Sequence, residues 1–319
     1  MEIINRLRRF WKKLRKSRVT RFAWRNRLTR FAILGLLLFY VVAFIGPAVS
    51  PHDPLRNNYE EIFASPSSEH LFGTDSLGRD VFTRVLYAMR TTAIISILIL
   101  FFGGWPFTVI LGPIAAYYGG KVDSLIVRTG EVIGSIPSII FLIIVILVFR
   151  DSFESFVLGI LEPLGMFWLI ESGITSIFLV IIALSLIGWV GGVFVLRSRV
   201  LQEREQGYVE SLKILGASDR RIIFGHILPN VMGLVVLSLS SLLLAAVSSE
   251  VGLSFLGLGI QDPYPSFGIM LHSCMDLAFL RNHTHLFIIP CVFLYYIGML
   301  SWILGDQLGR IIESKKSYV

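Results

Sequence analysis

At 319 residues the chain is long enough for two soluble domains, yet 54% of it is hydrophobic and only 16% is charged, against about 25% charged in an average soluble protein. The net charge of +7 is local: twelve Lys and Arg fall within residues 1–30, opposed there only by Glu2, and the remainder is mildly acidic. This excludes an ordinary soluble fold, and two cysteines, Cys274 and Cys291, are too few for a disulfide framework.

Residues 1–30 form a basic arm in which Ile3, Leu7, Phe10, Trp11 and Leu14 share one helical face. The pattern fits an amphipathic helix lying on anionic membrane lipid, or a plain topology tag with no helix of its own. Nothing else in the chain reads nucleic acid, so no nucleic-acid partner is expected. The arm is too long for a cleavable signal peptide.

Residues 31–50 are apolar and long enough to cross a bilayer as a first transmembrane helix. Residues 51–90 read as an external segment, where Asp75 is placed to cap a helix starting at Ser76 and Asp80 pairs with Arg84 at i,i+4. The plain reading of those charges is a solvated helix surface.

Residues 91–310 hold five further spans. The second, Thr91–Tyr118, is broken by Gly103, Gly104, Pro106, Gly112 and Pro113, which permit kinks or close packing. The third, Glu131–Phe149, is kinked at Pro137, with Arg128 and Glu131 one turn apart near its inner end. Residues 150–172 are acidic and too broken for a span, and read as a surface-seated or re-entrant lid. The fourth span, Gly173–Leu196, ends at Arg197 and Arg199. The fifth, Val231–Ser249, continues to Leu258; residues 261–285 lie outside; the sixth is Leu286–Leu304, with residues 311–319 as an inside tail. This topology leaves 23 Lys and Arg inside and 6 outside, which orients both termini to the cytoplasm. The fold class is therefore an all-α polytopic membrane protein with six transmembrane helices.

The longest polar segment of the second half is residues 207–230, GYVESLKILGASDRRIIFGHILPN. Tyr208–Leu215 reads as a short helix, with Val209, Leu212 and Leu215 at three-residue steps. Gly216 stands where a residue beyond a helix end adopts positive φ. Ser218 is placed to N-cap a second helix, with Asp219 in its first turn and Arg220 and Arg221 on its charged side. Pro229 marks the return to the next apolar block.

The spacing of Glu210, Lys213, Gly216 and Ile227-Leu228-Pro229 resembles the "EAA" cytoplasmic loop of binding-protein-dependent ABC-transporter permeases. LGASDRRIIFGHILPN, with HLFGTDSLGRDVFTRVLYAMR at 70–90 and SSEVGLSFLGLGIQDPYPSFGIML at 248–271, is similar to the dipeptide/oligopeptide/nickel branch, in its C-type inner-membrane subunit. The likeness runs from about Arg30 to Arg310. Ser211-Leu212 stands in place of the motif's small Ala pair, and His226 in place of its Ile. The resemblance implies a permease core at 91–310 in the bacterial cytoplasmic (inner) membrane. It implies a heterodimer with a second homologous permease, one or two ABC ATPase subunits on the inner side, and an extracytoplasmic peptide-binding protein on the outer. ATP and Mg would be held by the partner ATPases. By position, Tyr208, Glu210, Gly216, Ala217, Ser218, Asp219, Arg221 and Pro229 would contact the ATPase in a helix–Gly–helix coupling loop.

The residues themselves agree in what they lack: the sequence has no G-x-x-x-x-G-K-[ST] phosphate loop, no G-x-S-x-G elbow and no H-E-x-x-H metal helix. No catalytic residue and no cofactor of its own are expected. Glu250 is an isolated carboxylate in an apolar block, either a functional intramembrane acid or a hydrated charge at a helix end. His272, Cys274, Asp276, His283 and His285 can ligate nickel or zinc by type, but no two of the histidines and cysteine among them have helical metal-site spacing, and no metal site is expected. The leading reading is a peptide-importing ABC permease. Import of nickel or a metal chelate is the close alternative, and an ion-coupled secondary transporter or a polytopic enzyme the distant ones.

Overall fold

The computed structural model describes residues 26–165, 174–275 and 281–316. The basic arm up to residue 25, part of the expected lid (166–172) and Asp276 lie outside them. The described residues are helical, with a single isolated β-bridge between Thr74 and Asp80. In chain order the helices are α1 (Arg27–Val49), α2 (Val81–Phe102), α3 (Trp105–Tyr118), α4 (Gly120–Gly134), α5 (Ser138–Leu161), α6 (Ile174–Arg204), α7 (Gly207–Ile214) and α8 (Asp219–Ile222). A π-helical turn (Ile223–Ile227), α9 (Leu228–Phe255), α10 (Phe267–His272) and α11 (Thr284–Lys316) follow.

Five helical stretches are long and apolar enough to cross a membrane: α1, α2 with α3, α6, α9 and α11. A sixth exists if α4 and α5, bent by 86° at Ser135–Pro137, count as one broken span. The surface agrees with a lipid setting. On α1, Thr29, Ala32, Gly35, Phe39, Ala43 and Gly46 form the buried stripe, while Phe31, Leu34, Leu37, Leu38 and Phe44 face outward. Small residues inside and large apolar ones outside reverse the soluble pattern and are how helices associate in hydrocarbon.

The packing runs through three apolar clusters. Phe39, Val85, Met89, Phe267 and Ile297 join α1, α2, α10 and α11. Ile95, Leu142, Ile146, Leu179 and Leu253 join α2, α5, α6 and α9. Ala116, Leu196, Val209, Ile222, Ile223 and Val231 join α3, α6, the 207–227 segment and α9. The break between α2 and α3 comes from close approach: a Cβ on Gly104 would lie 2.2 Å from the Trp189 backbone nitrogen. Glycine there lets α3 lie against α6, and Thr108 seals the contact by donating from its hydroxyl to the Trp189 carbonyl at 3.2 Å.

Several boundaries differ from the sequence reading. The second span starts at Val81 rather than Thr91, because Asp80 is the true N-cap, accepting from the Thr83 amide at 2.7 Å. Residues 81–90 thus belong to α2, not to the outer loop. Asp75 caps no helix at Ser76; its Oδ1 instead accepts from the Leu77 and Arg79 amides in a turn. At Pro137 the chain breaks between two helices rather than kinking within one. Helix α5 runs on to Leu161, so the first part of the expected lid is a continuous extension of it. Helix α6 continues past Arg197 and Arg199 to Arg204, where the Arg204 guanidinium donates to the Ala116 and Tyr117 carbonyls at the end of α3.

Replacing Gly104 with Ala is expected to cost about 1–3 kcal/mol through overpacking against backbone, while Gly188→Ala, whose Cβ would meet its nearest neighbour at 3.5 Å, is expected to be neutral. The measurement is thermal unfolding in detergent, followed by exposure of the buried Cys274 thiol. Equal melting of the two variants would refute the close-approach account.

Candidate functional site

The 207–230 segment builds a compact projection between α6 and α9. Helix α7 ends in a two-bond Schellman cap: the Ala217 amide donates to the Leu212 carbonyl and the Gly216 amide to the Lys213 carbonyl, each at 3.0 Å. Gly216 has φ +74°, a conformation in which a side chain on Cα is strained. Ser218 occupies the N-cap position of α8 with extended backbone but makes no side-chain capping bond. The expected cap is therefore backbone geometry alone. Asp219 instead reaches across to α3, accepting from the Tyr117 hydroxyl at 2.7 Å, and the Lys213 ammonium lies 5.3 Å from the centre of the Tyr117 ring.

The expected second helix is short. After Ile222 the chain widens into a π turn, in which the Leu228 amide donates to the Ile223 carbonyl. Pro229 accounts for its place: proline cannot donate to the carbonyl four residues back and its ring crowds that group, a conflict that one extra residue per turn relieves. The apolar side of the segment, Val209, Ile222, Ile223 and Ile227, is buried. Its tip is the reverse, with Ile214 and Leu215 81% and 80% exposed beside Gly216. Glu210, Ser218, Asp219 and Arg221 are also on the surface, whereas Tyr208 turns partly inward and bonds Glu203 and Asn230, each at 3.3 Å.

Away from this projection the loop before α2 carries a charge clamp that the sequence reading missed. Arg79 and Arg84, expected on a solvated helix surface, are 3% and 2% exposed. Asp75 Oδ2 lies 2.8 Å from Arg79 Nε and 3.5 Å from Arg84 Nε, and Asp262 Oδ1 lies 3.1 Å from Arg79 and 3.4 Å from Arg84. Arg84 therefore pairs with Asp75 and Asp262, not with Asp80. Asp80 is committed to the α2 N-terminus and to His70, whose Nδ1 is 2.9 Å from its Oδ1 and whose Nε2 is 3.2 Å from Glu61. Burial pulls the His70 imidazole down, but the hydrogen bonds and charges of Asp80 and Glu61 outweigh it and hold the pKa above the ordinary histidine value. The signal was in the sequence: four charges within the ten residues 75–84 around Gly78, two of each sign, are dense for a plain solvated turn.

Glu250 lies wholly buried within α9. Its Oε1 accepts from the Ser254 hydroxyl at 2.8 Å, and its Oε2 has no partner. No Lys, Arg or His is paired with it among the described residues. Two concave faces flank the same helix, one of about 630 Å³ against α11 and one of about 420 Å³ against α3 and α6, and Ser241 lines both. Among the described members of the 272–285 group no ligand set is gathered: His272 bonds the Phe255 carbonyl, and His283 stacks on Phe63.

These features define a polytopic membrane component with a capped polar projection on one face and a charge-clamped loop on the other. Residues 106–317 match the family model of the binding-protein-dependent transport system inner membrane component. The chain is 36% identical to the dipeptide transport system permease protein DppC of Bacillus subtilis, over 93% of this chain and 86% of that one. It is 31% identical to the oligopeptide transport system permease protein OppC of the same organism, over 91% and 86%. It is 30% identical to the glutathione transport system permease protein GsiD of Escherichia coli, over 96% and 89%. The chain belongs to the family of binding-protein-dependent ABC-transporter permeases, in its C-type dipeptide/oligopeptide branch.

Asp75→Ala leaves two buried guanidiniums facing only Asp262, which is itself half-exposed. Breaking a buried pair from one side costs about 3–5 kcal/mol, so this variant is expected to melt well below wild type in detergent. Asp262→Ala is expected to cost less. Unchanged melting of the Asp75 variant would show that the clamp carries no stability.

Proposed function

We propose that this chain is the permease subunit of a peptide-importing ABC transporter. It forms half of a translocation passage with a second homologous permease and is coupled to partner ATPases through residues 207–230. The observation that carries the reading is the exposed Ile214-Leu215 tip on a rigid cap. A side chain 80% exposed on an otherwise buried apolar segment adds nothing to its own fold, and is suited to insertion into a cleft of another protein. The Schellman cap at Gly216 and the Tyr117–Asp219 bond fix the direction of that tip relative to α3, so a push on the tip is delivered to the membrane helices rather than absorbed.

Orientation follows from charge. The projection lies on the side where Lys and Arg concentrate, which the positive-inside rule assigns to the cytoplasm, with both termini. ATP hydrolysis, with its Mg, belongs to the partner subunits, and cargo arrives from an extracytoplasmic binding protein on the clamped face. Peptide cargo is supported by the names of the relatives, which include dipeptide, oligopeptide and glutathione systems. The two concave faces on α9, with Ser238, Ser240 and Ser241 among their linings, give that helix a polar side suited to a hydrated passage. Glu250, buried further along α9, is a candidate functional acid within the membrane.

The test is reconstitution with the partner permease, the ATPases and the binding protein, reading substrate-stimulated ATP hydrolysis and uptake. Gly216→Val is expected to strain the turn by about 1–2 kcal/mol and to uncouple hydrolysis from uptake. Leu215→Asp lies on the surface, where substitutions fall within about 0.5 kcal/mol, and is expected to leave melting unchanged while reducing stimulated hydrolysis at least tenfold. Full coupling in both variants would defeat the docking assignment, and uptake driven by an ion gradient without ATPases would defeat the class.

A further inference from the structure

The loop between α1 and α2 gathers three ligand-type side chains from three separate stretches of chain. His52 lies just beyond the end of α1, His70 lies in the middle of the loop, and Asp80 is the N-cap of α2. Each brings one ligand atom into a group whose members all lie within 4.8 Å of one another. The two imidazole rings are 4.8 Å apart, tilted by 31°. His70 and Asp80 are buried and His52 is half-buried.

The hydrogen bonds around the group fix which atoms are available. His52 Nε2 faces the Glu69 carbonyl at 3.1 Å. A carbonyl can only accept, so Nε2 carries the proton and Nδ1 is left with its lone pair. His70 has Glu61 Oε2 at 3.2 Å from Nε2, which leaves Nδ1 as the nitrogen turned to Asp80 Oδ1. Asp80 uses Oδ2 for the Thr83 amide and keeps Oδ1 for this contact. Each imidazole therefore gives its outer N–H to an oxygen acceptor and points the other nitrogen inward, the arrangement that orients metal-bound histidines.

The surroundings favour a cation as well. The group opens into a cavity of about 470 Å³ whose lining includes the carboxylates of Asp53, Glu60, Glu61 and Glu69, with Arg56 as its basic member. Carboxylates clustered on a cleft attract a cation to it. Two imidazoles and one carboxylate suit a borderline first-row ion such as Zn²⁺, Co²⁺ or Ni²⁺ better than Mg²⁺ or Ca²⁺, which take oxygen.

We propose that His52 Nδ1, His70 Nδ1 and Asp80 Oδ1 form a divalent transition-metal site on the outer loop, with Glu61 and the Glu69 carbonyl as outer-shell acceptors and the acidic cavity as its entrance. The ion takes the place of the hydrogen between His70 and Asp80 and pins the end of α1 to the start of α2 through the loop. It is a resident structural ion held by this chain alone, so the site stands or falls independently of the coupling reading. The sequence pointed to residues 272–285 for such ligands and expected no site; the fold gathers a different set.

The experiment uses the full-length chain purified in detergent without a polyhistidine tag, titrated with zinc against a chromophoric chelator, with thermal unfolding as a second readout. Wild type is expected to retain one zinc equivalent and to melt higher with zinc than after chelation. His52→Gln, half-exposed and outside the α2 cap, is expected to lose the zinc-dependent shift and to bind more weakly by more than the roughly 10–100-fold that loss of an outer-shell partner costs. Glu61→Gln is expected to fall within that range, and His52→Cys, which restores a ligand, to recover binding. Failure of wild type to hold one equivalent overturns the proposal, as does equal zinc affinity in His52→Gln. Should His52→Gln fail to fold, His52→Cys and Glu61→Gln decide by the same titration, and unchanged affinity in Glu61→Gln counts against the proposal.

Discussion

A helix that crosses hydrocarbon satisfies its own backbone everywhere except at its two ends, where four amides and four carbonyls are left without partners. Much of the polar chemistry of this chain answers that constraint. Asp80 closes the start of α2, Arg204 covers the last carbonyls of α3, and Gly216 lets two amides fold back onto α7. Arg150, near the middle of α5, donates to the Leu258 and Gly259 carbonyls just beyond α9. The two arginine contacts join segments far apart in sequence, so devices that terminate helices also fasten the bundle.

The two faces are fastened differently. On the outer side buried guanidiniums are neutralised by carboxylates from two loops, an arrangement that loses much of its stability when one partner goes. On the other side the 207–230 segment is held by an apolar seat, the backbone cap at Gly216, the Tyr117–Asp219 and Tyr208 hydrogen bonds and the Lys213–Tyr117 ring contact.

Much of the fold was legible from the sequence, and the misreadings have a common cause. Runs of apolar residues fix where helices cross, and the Gly216 turn follows from residue type because positive φ selects so strongly. What could not be read was which charges meet. Asp80 and Arg84 stand four apart, the spacing of a surface pair, yet each is taken by a partner from elsewhere: His70, ten residues back, and Asp262, far along the chain. Local spacing assumes solvent on one side of a helix, and burial by a distant loop removes that assumption. Asp75 caps no helix for a different reason: its Oδ1 closes a local turn onto the Leu77 and Arg79 amides. The projection at 207–230 was readable because most of its determining contacts are local, while the His52–His70–Asp80 group was not, since its members lie in three stretches that only the fold brings together.

The 86° turn between α4 and α5 has a consequence for the bilayer itself. With α5 upright, α4 must lie nearly flat, and its exposed Val122, Leu125 and Val132 alternate with exposed Lys121 and Arg128. Helix α4 therefore presents the mixed apolar and cationic surface of an interfacial helix, and the Asp123–Arg197 ion pair ties it to α6, the helix that leads into the 207–230 projection.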